Sequence, residues 1–360
     1  RALKGREVLI MPILMFVFAL LGAGMGFQEE TIPFYSILIP VMIKAGFDSI
    51  TGIAVILIGA GVGVFSAISN PFATVIACQA AGVPLLQGAV PRVVALVSAW
   101  LLSTIHVTRY ALKVRQDSKN SLVADQYEQD KEHFLGGGSE EGEEDEVQSL
   151  TPQQVIILLI FASVFGFMIW GSAVAGMSMV DMSALFLGGS IVTAVVGAMR
   201  EERFTETFME GSKDLLGPAM VIGLAKGIVH VMNDGMITDT ILNAAAGALQ
   251  GLSSIFFVNV VYILQVILAF LIPSSSGLAT LTVPIMAPLA DFSDVPRHLI
   301  VTAFQSASGV VNLITPTSGT VMAALAIGRV PWGAWARFCT PLLLQLSICI
   351  MTVMSVALLL

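Results

Sequence analysis

Charge is scarce in this chain: 12% of its 360 residues are Asp, Glu, Lys or Arg and 56% are hydrophobic, whereas soluble domains carry about a quarter charged residues. With a mean hydropathy of +0.88, this excludes a water-soluble globular domain. Cysteine is sparse too. Cys78, Cys339 and Cys349 stand in apolar runs without CxxC spacing, so neither a disulfide framework nor a zinc site is indicated. No HExxH or GxSxG-type motif occurs, and no His stands beside Ser or Cys in a nucleophile signature, so no enzyme is expected. Cofactors, metals and nucleic acid are not expected either; a sodium site stays open without support. The N-terminus lacks a short apolar stretch followed by a small-residue cleavage site. It begins on Arg1, which suggests a piece of a longer polypeptide.

What is present is a series of apolar stretches of about 20 residues, enough to cross a hydrocarbon core of roughly 30 Å. The clearest are Arg92 to Leu112, Val155 to Ala173, Met179 to Met199, Leu215 to Met232, Phe256 to Ile272 and Pro331 to Leu360. The net charge of -8 is concentrated between Asp117 and Glu146, where Gly136-Gly137-Gly138 precedes the acidic run Glu140 to Glu146. Like charges at that density repel and nothing apolar offsets their ordering entropy, so a disordered loop is expected.

One pattern near the start returns in the last third of the chain. Ser36 to Lys44 (SILIPVMIK) matches Thr280 to Pro288 (TLTVPIMAP), Asn70-Pro71 matches Thr315-Pro316, and Ala73 to Gly82 matches Gly319 to Gly328. Gly88 and Arg92 fall on Gly333 and Arg337. Each copy reads as an apolar arm, a polar tip, a short arm, and a helix interrupted by a polar Pro-containing break. The tips are Gln28-Glu29-Glu30-Thr31 and Pro273-Ser274-Ser275-Ser276-Gly277; the breaks are Ser69-Asn70-Pro71 and Thr315-Pro316-Thr317-Ser318-Gly319. The predicted class is therefore an all-α polytopic membrane protein with inverted repeats, each holding a re-entrant hairpin and a discontinuous transmembrane helix.

The boundaries follow. Residues 1–115 form the first repeat, with a hairpin over about 8–45, a broken helix over about 50–81 and a helix over about 92–112. Residues 116–152 form the acidic loop and 153–252 scaffold helices. Residues 253–360 form the second repeat, with a hairpin over about 254–290, a broken helix over about 297–328 and a final helix over about 331–360. The crossings between the hairpins are the first broken helix and the helices starting near Arg92, Val155, Met179 and Leu215. Their number is odd, which inverts the second copy. This arrangement puts Arg1, Lys4, Arg6, Lys44, Arg109, Lys113, Arg115, Lys119, Lys131, Arg200, Arg203, Lys213, Arg329 and Arg337 on one face. Arg92 and Arg297 fall on the other, with Lys226 inside a span. That bias predicts a cytoplasmic acidic loop in a bacterial-type inner membrane. Glu7 to Phe27 is long for a re-entrant arm, but a crossing there would leave the first three basic residues outside.

Unpaired backbone at membrane depth is tolerated where it lines a wet cavity or is buried in protein, and inverted repeats with broken helices are a construction of secondary transporters. Half-helix N-termini and hydroxyls suit a carboxylate. The candidate substrate residues are Glu29, Glu30, Thr31, Ser69, Asn70, Ser274, Ser275, Ser276, Gly277, Asn312, Thr315, Thr317 and Ser318. Ser, Thr and Gly at such positions also simply let helices approach, and the acids would be ordinary in an aqueous loop. Asn233, Asp234 and Asp239 are candidates for proton or ion coupling, with a helix cap the alternative for Asp239 and His230 more often a packed or interfacial histidine than a proton relay.

The stretches GMGFQEETIPFY, ISNPFATVIA, MNDGMITDTIL, IPSSSGLATLTVPIMAPLAD and LITPTSGTVMAALA resemble the YfcC-type transporters, a group related to C4-dicarboxylate anaerobic carriers and to basic amino acid antiporters. The resemblance spans essentially the whole chain. It implies the ion-transporter superfamily architecture, a homodimer with scaffold and transport domains, and further helices ahead of Arg1. Sodium-coupled dicarboxylate relatives in that superfamily carry Ser-Asn-Thr tips, which this sequence lacks. A cationic or zwitterionic amino acid fits the tips better, its carboxylate near the Ser-rich tip and its amine or guanidinium near Glu29 and Glu30. The expected partners are this small molecule, the bilayer, H+ or Na+ as coupling ion, and a second copy of the chain. A C4-dicarboxylate or other organic-anion carrier is the alternative, and a channel a more distant one.

Overall fold

The computed structural model describes residues 7–70, 73–135, 151–171, 179–237, 240, 243–244, 247, 249 and 251–360. All regular structure among them is helical. Pro71, Gly136 to Gly138, the acidic run Glu140 to Glu146, and Asp239 lie outside the described residues, as do the side chains of Lys226 and Asn233.

The helices are α1 (Ile10–Met25), α2 (Ile32–Lys44), α3 (Ser49–Phe65), α4 (Thr74–Ala81), α5 (Ala89–Gln116), α6 (Tyr127–Leu135), α7 (Pro152–Trp170), α8 (Met179–Val196) and α9 (Glu201–Asp234). They continue as α10 (Ser254–Leu271), α11 (Ser275–Asp291), α12 (Arg297–Val311), α13 (Gly319–Ile327) and α14 (Trp332–Leu359). Three of them, α5, α10 and α14, are long and apolar enough to cross a membrane. At 16 residues, α1 rises only about 24 Å, short of the hydrocarbon thickness.

The chain forms two compact units, residues 138–216 and residues 1–137 with 217–360. In the smaller unit α7 and α8 run antiparallel, since Gln153 Nε2 at the start of α7 donates to Val196 O at the end of α8 at 2.8 Å.

The larger unit is built around α3 and α12. Every residue of α3 is buried, as is α12 from Leu299 to Val311. A helix apolar on all faces has no solvent side, so its neighbours are chosen by fit. Glycines set that fit. A Cβ on Gly22 of α1 would overlap Ala60 O, and one on Gly63 of α3 would overlap Ala19 O. Where α3 meets α12, a Cβ on Gly309 would overlap the backbone of Phe65. Small residues thus let helix backbones touch where van der Waals packing, not water, drives association.

One expectation needs correction. Residues 117–135, read from composition as part of a disordered loop, form two short 3-10 turns and α6, and α6 packs on α2. Buried polar pairing outweighs the charge density here. Asp48 caps α3, its Oδ1 accepting from Thr51 N at 2.9 Å and Thr51 Oγ1 at 2.7 Å. Its Oδ2 accepts from Tyr110 Oη and Ser121 Oγ, both at 2.6 Å. Ser49 Oγ donates to Asp130 Oδ2 at 2.8 Å, which ties α6 to the start of α3.

Candidate functional site

The first polar tip begins where α1 ends. Gly26 adopts the left-handed conformation (φ 73°) and its N–H bonds to Gly22 O at 3.0 Å, a C-terminal cap that glycine reaches without cost. Its Cα faces Asn70, and a Cβ there would come within 2.6 Å of Asn70 Oδ1. The break answers the orphan carbonyls of α1: Ile68 N and Ser69 N donate to Ala23 O at 3.0 and 3.3 Å, and Ser69 Oγ donates to Gly24 O at 3.0 Å. Tip one is therefore seated on break one.

The tip itself is closed by its own polar groups. Thr31 Oγ1 donates to Gln28 O at 2.6 Å and lies 3.3 Å from Tyr35 Oη. Gln28 N donates to Glu30 Oε2 at 3.1 Å. Glu30 is only 8% exposed, whereas Glu29 is exposed. The aqueous-loop reading thus fits Glu29 and not Glu30, whose carboxylate is held inside the protein.

From this tip a line of contacts crosses to the second copy. Gln28 Nε2 donates to Asn312 O at 3.5 Å, Asn312 Nδ2 donates to Ser308 Oγ at 3.4 Å, and the hydroxyls of Ser308 and Ser275 are 3.0 Å apart. Ser275 opens α11, with Ser274 as its cap accepting from Gly277 N at 3.3 Å. At break two, the hydroxyls of Thr315 and Thr317 lie 2.8 Å apart, and Ser318 precedes α13. The two tips are thus joined through Asn312 and Ser308, and tip one rests on break one.

The structure sorts the candidates. Glu30, Thr31, Ser69, Asn70, Ser275, Gly277, Asn312, Thr315 and Thr317 stand at the tips and breaks in the contacts just described. Ser274 and Ser276 face each other at 3.4 Å on the exposed side of their tip. Asp234 is not gathered in: it ends α9 in the open, its carboxylate 3.5 Å from His230 Nε2 with both side chains largely exposed. Sequence reasoning missed Ser308, which links the Ser-rich tip to Asn312. It also missed Gln305, which lies wholly inside the protein and spans break one, its Nε2 donating to Val64 O at 2.6 Å and its Oε1 accepting from Thr74 Oγ1 at 3.0 Å.

Arg92, expected toward the outer face, is 0% exposed. Its Nη1 donates to Ile68 O, its Nη2 to Leu85 O and Gln87 O, and its Nε to Gly88 O. Arg337, its match in sequence, is exposed. The matching carbonyl of copy two, Leu313 O, accepts instead from Trp335 Nε1 at 2.9 Å, and its neighbour Ile314 O from Trp332 Nε1 at 2.8 Å.

An apolar cavity of about 560 Å³ in the smaller unit, lined by Ile157, Phe161, Val164, Phe186 and Phe208 among others, is a different kind of space. Its hydroxyls on Ser190, Thr193 and Thr207 already donate to their own helices. It offers little to orient a polar substrate.

A family model described as DcuC, C4-dicarboxylate anaerobic carrier, matches residues 1–359. The chain is 32% identical over 340 residues to an uncharacterized protein of Haemophilus influenzae, covering 94% of this chain and 66% of that protein. It is 33% identical over 348 residues to YfcC of Escherichia coli, whose name proposes a basic amino acid antiporter, covering 94% of this chain and 67% of that one. The chain thus spans about two thirds of the length of these curated relatives. A solved structure, the YdaH transporter of Alcanivorax borkumensis with its unusual topology, aligns with 98% of this chain and 86% of that one at 16% identity and a TM-score of 0.35.

Proposed function

The chain belongs to the DcuC family of C4-dicarboxylate anaerobic carriers, and from that premise we propose that it holds the substrate site of a secondary transporter for a basic amino acid. In this reading residues 1–115 and 253–360 are inverted repeats that alternate access to one midplane site, residues 153–252 are scaffold, and the assembly is a homodimer in the inner membrane. The observation that carries the substrate class is the buried Glu30 carboxylate. It sits at a tip whose Gln28 side chain donates to Asn312 O at the end of α12, and its own carboxylate accepts from Gln28 N inside the protein. A carboxylate inside the membrane is costly and calls for a cationic partner. The C-terminal end of α12 adds partial negative charge, so the amine or guanidinium of a substrate fits between Glu30 and Asn312. Its carboxylate fits the N-termini of α11 and α13, where Ser275 and Thr317 add donors.

A second reading has one supporting observation. The same N-termini and hydroxyls suit a dicarboxylate, the substrate in the family's own description. Thermal unfolding of the purified protein separates the two. Arginine or ornithine is expected to raise the melting temperature by an amount that grows with concentration, since ligand at 100 times Kd adds about 2.7 kcal/mol. Fumarate and succinate are expected to leave it unchanged. Glu30→Gln is expected to abolish the arginine response; a response to fumarate alone overturns the amino acid reading and favours the second.

A further inference from the structure

The two breaks are satisfied by different means. A helix C-terminus leaves orphan carbonyls and partial negative charge, and the unwound carbonyls of broken helices are places where transporters coordinate a cation. At break one those acceptors are already engaged. Val62 O accepts from Ser66 Oγ at 2.8 Å, Val64 O from Gln305 Nε2 at 2.6 Å, Ala67 O from Thr74 Oγ1 at 3.3 Å and Ile68 O from Arg92 Nη1 at 3.3 Å. Arg92 is wholly buried, and among the described residues its guanidinium hydrogen-bonds four backbone carbonyls and the Cys78 side chain, with no carboxylate paired to it. At break two the donors are neutral: Trp335, Trp332 and the Gln28 amide.

A buried guanidinium without a carboxylate needs another source of negative potential, and the carbonyl of Ile68 beside break one and those of Leu85, Gln87 and Gly88 ahead of α5 supply it, with the Cys78 side chain. Its planar fork reaches several acceptors at once and stays charged at all physiological pH. We propose that Arg92 is a resident cation of break one: it fills, from within the chain, the role that a bound monovalent metal ion would play there, so this half of the site assembles without sodium. The inference deepens the transport reading and rests on it for its functional meaning, but it has a physical readout of its own.

The test uses the full chain, purified, with its melting temperature followed in sodium chloride and in choline chloride at equal ionic strength. The wild-type protein is expected to melt at the same temperature in both. Arg92→Ala is expected to lose roughly 5–10 °C and to recover at least half of that loss in millimolar methylguanidinium chloride, which leaves the wild type unmoved. Failure of methylguanidinium to rescue overturns the proposal, because it makes Arg92 a packing residue. So does a saturable sodium-dependent rise in the wild type that choline does not reproduce. Where the alanine variant cannot be recovered, Arg92→Lys keeps the charge and is expected to melt independently of sodium; saturable stabilisation of that variant by sodium counts against the proposal equally. Arginine and fumarate are scored separately in the same assay. Rescue by methylguanidinium with no response to either overturns the transport reading and leaves the resident cation standing.

Discussion

Gly26 sits where any side chain meets two penalties at once. Its φ of 73° lies in the left-handed region, and a Cβ would press on Asn70. Gly26→Ala is expected to cost about 1–2 kcal/mol and to weaken substrate binding as well, because relieving the overlap moves tip one off break one. Melting temperature reads the first effect and the arginine response the second; a stable variant with normal binding would show that tip and break move independently. The two tryptophans of break two make a complementary comparison. Trp335 is buried, so Trp335→Phe strands Leu313 O without a donor, a cost of about 1–3 kcal/mol. Trp332 is exposed, so Trp332→Phe leaves Ile314 O within reach of water and is expected to cost clearly less. Equal losses in the two variants would show that burial of the carbonyl does not set the cost.

How far these residues could be read from sequence depends on what marks them. The tips and breaks stand out because Pro, Gly, Ser, Thr and Asn interrupt apolar runs, and such punctuation has a local cause. Ser308 and Gln305 carry no such mark. Each lies inside an apolar helical stretch, and its importance comes from partners elsewhere: Gln305 reaches Val64 and Thr74 in the first third of the chain, and Ser308 reaches Ser275 on the preceding helix and Asn312 one turn on. Arg92 was visible as a repeat-matched residue, yet alignment with Arg337 hid that Trp335 does the equivalent task in the second copy.

At the scale of elements, the docking of α6 was hidden for a related reason. Composition sums charge over a window, whereas docking turns on a few buried contacts: Ser49 to Asp130, and Asp48 to Tyr110 and Ser121. Burial pushes the Asp130 carboxyl above its ordinary range, with the Ser49 hydrogen bond and the charge of Arg329 opposing the rise. A group whose folded-state pKa is raised contributes stability below its unfolded value, and that contribution is lost as pH rises through the folded value. The attachment of α6 is therefore expected to weaken with rising pH across and just above the ordinary carboxylate range. Asp130→Asn keeps an acceptor for Ser49 and removes the titration. The variant is expected to match the wild type in mildly acidic buffer and to melt higher near neutrality; a difference that does not change with pH counts against the assignment to Asp130.

At the scale of the whole molecule, the two copies differ in where their charge comes from. Arg92 meets break one at Ile68 O, while the carbonyls just ahead of break two are met by the neutral donors Trp335 and Trp332 and, at Asn312, by Gln28 of the tip that holds Glu30. Under the proposed function, that inequality would give the cationic end of a substrate a place at one break only, which a symmetric pair of sites would not. It also depends on the copies facing opposite sides of the membrane, the reading that the distribution of basic residues supports. The base of the first hairpin is the turn at Ala45 and Gly46, and that of the second is the turn Phe292 to Asp294. In a background with Cys78, Cys339 and Cys349 replaced by Ser, Ala45→Cys is expected to react with a membrane-impermeant maleimide only after permeabilisation. Ser293→Cys is expected to react in intact cells. Both cysteines reacting from the same side would make the repeats parallel, and the shared midplane site would then have to be built another way.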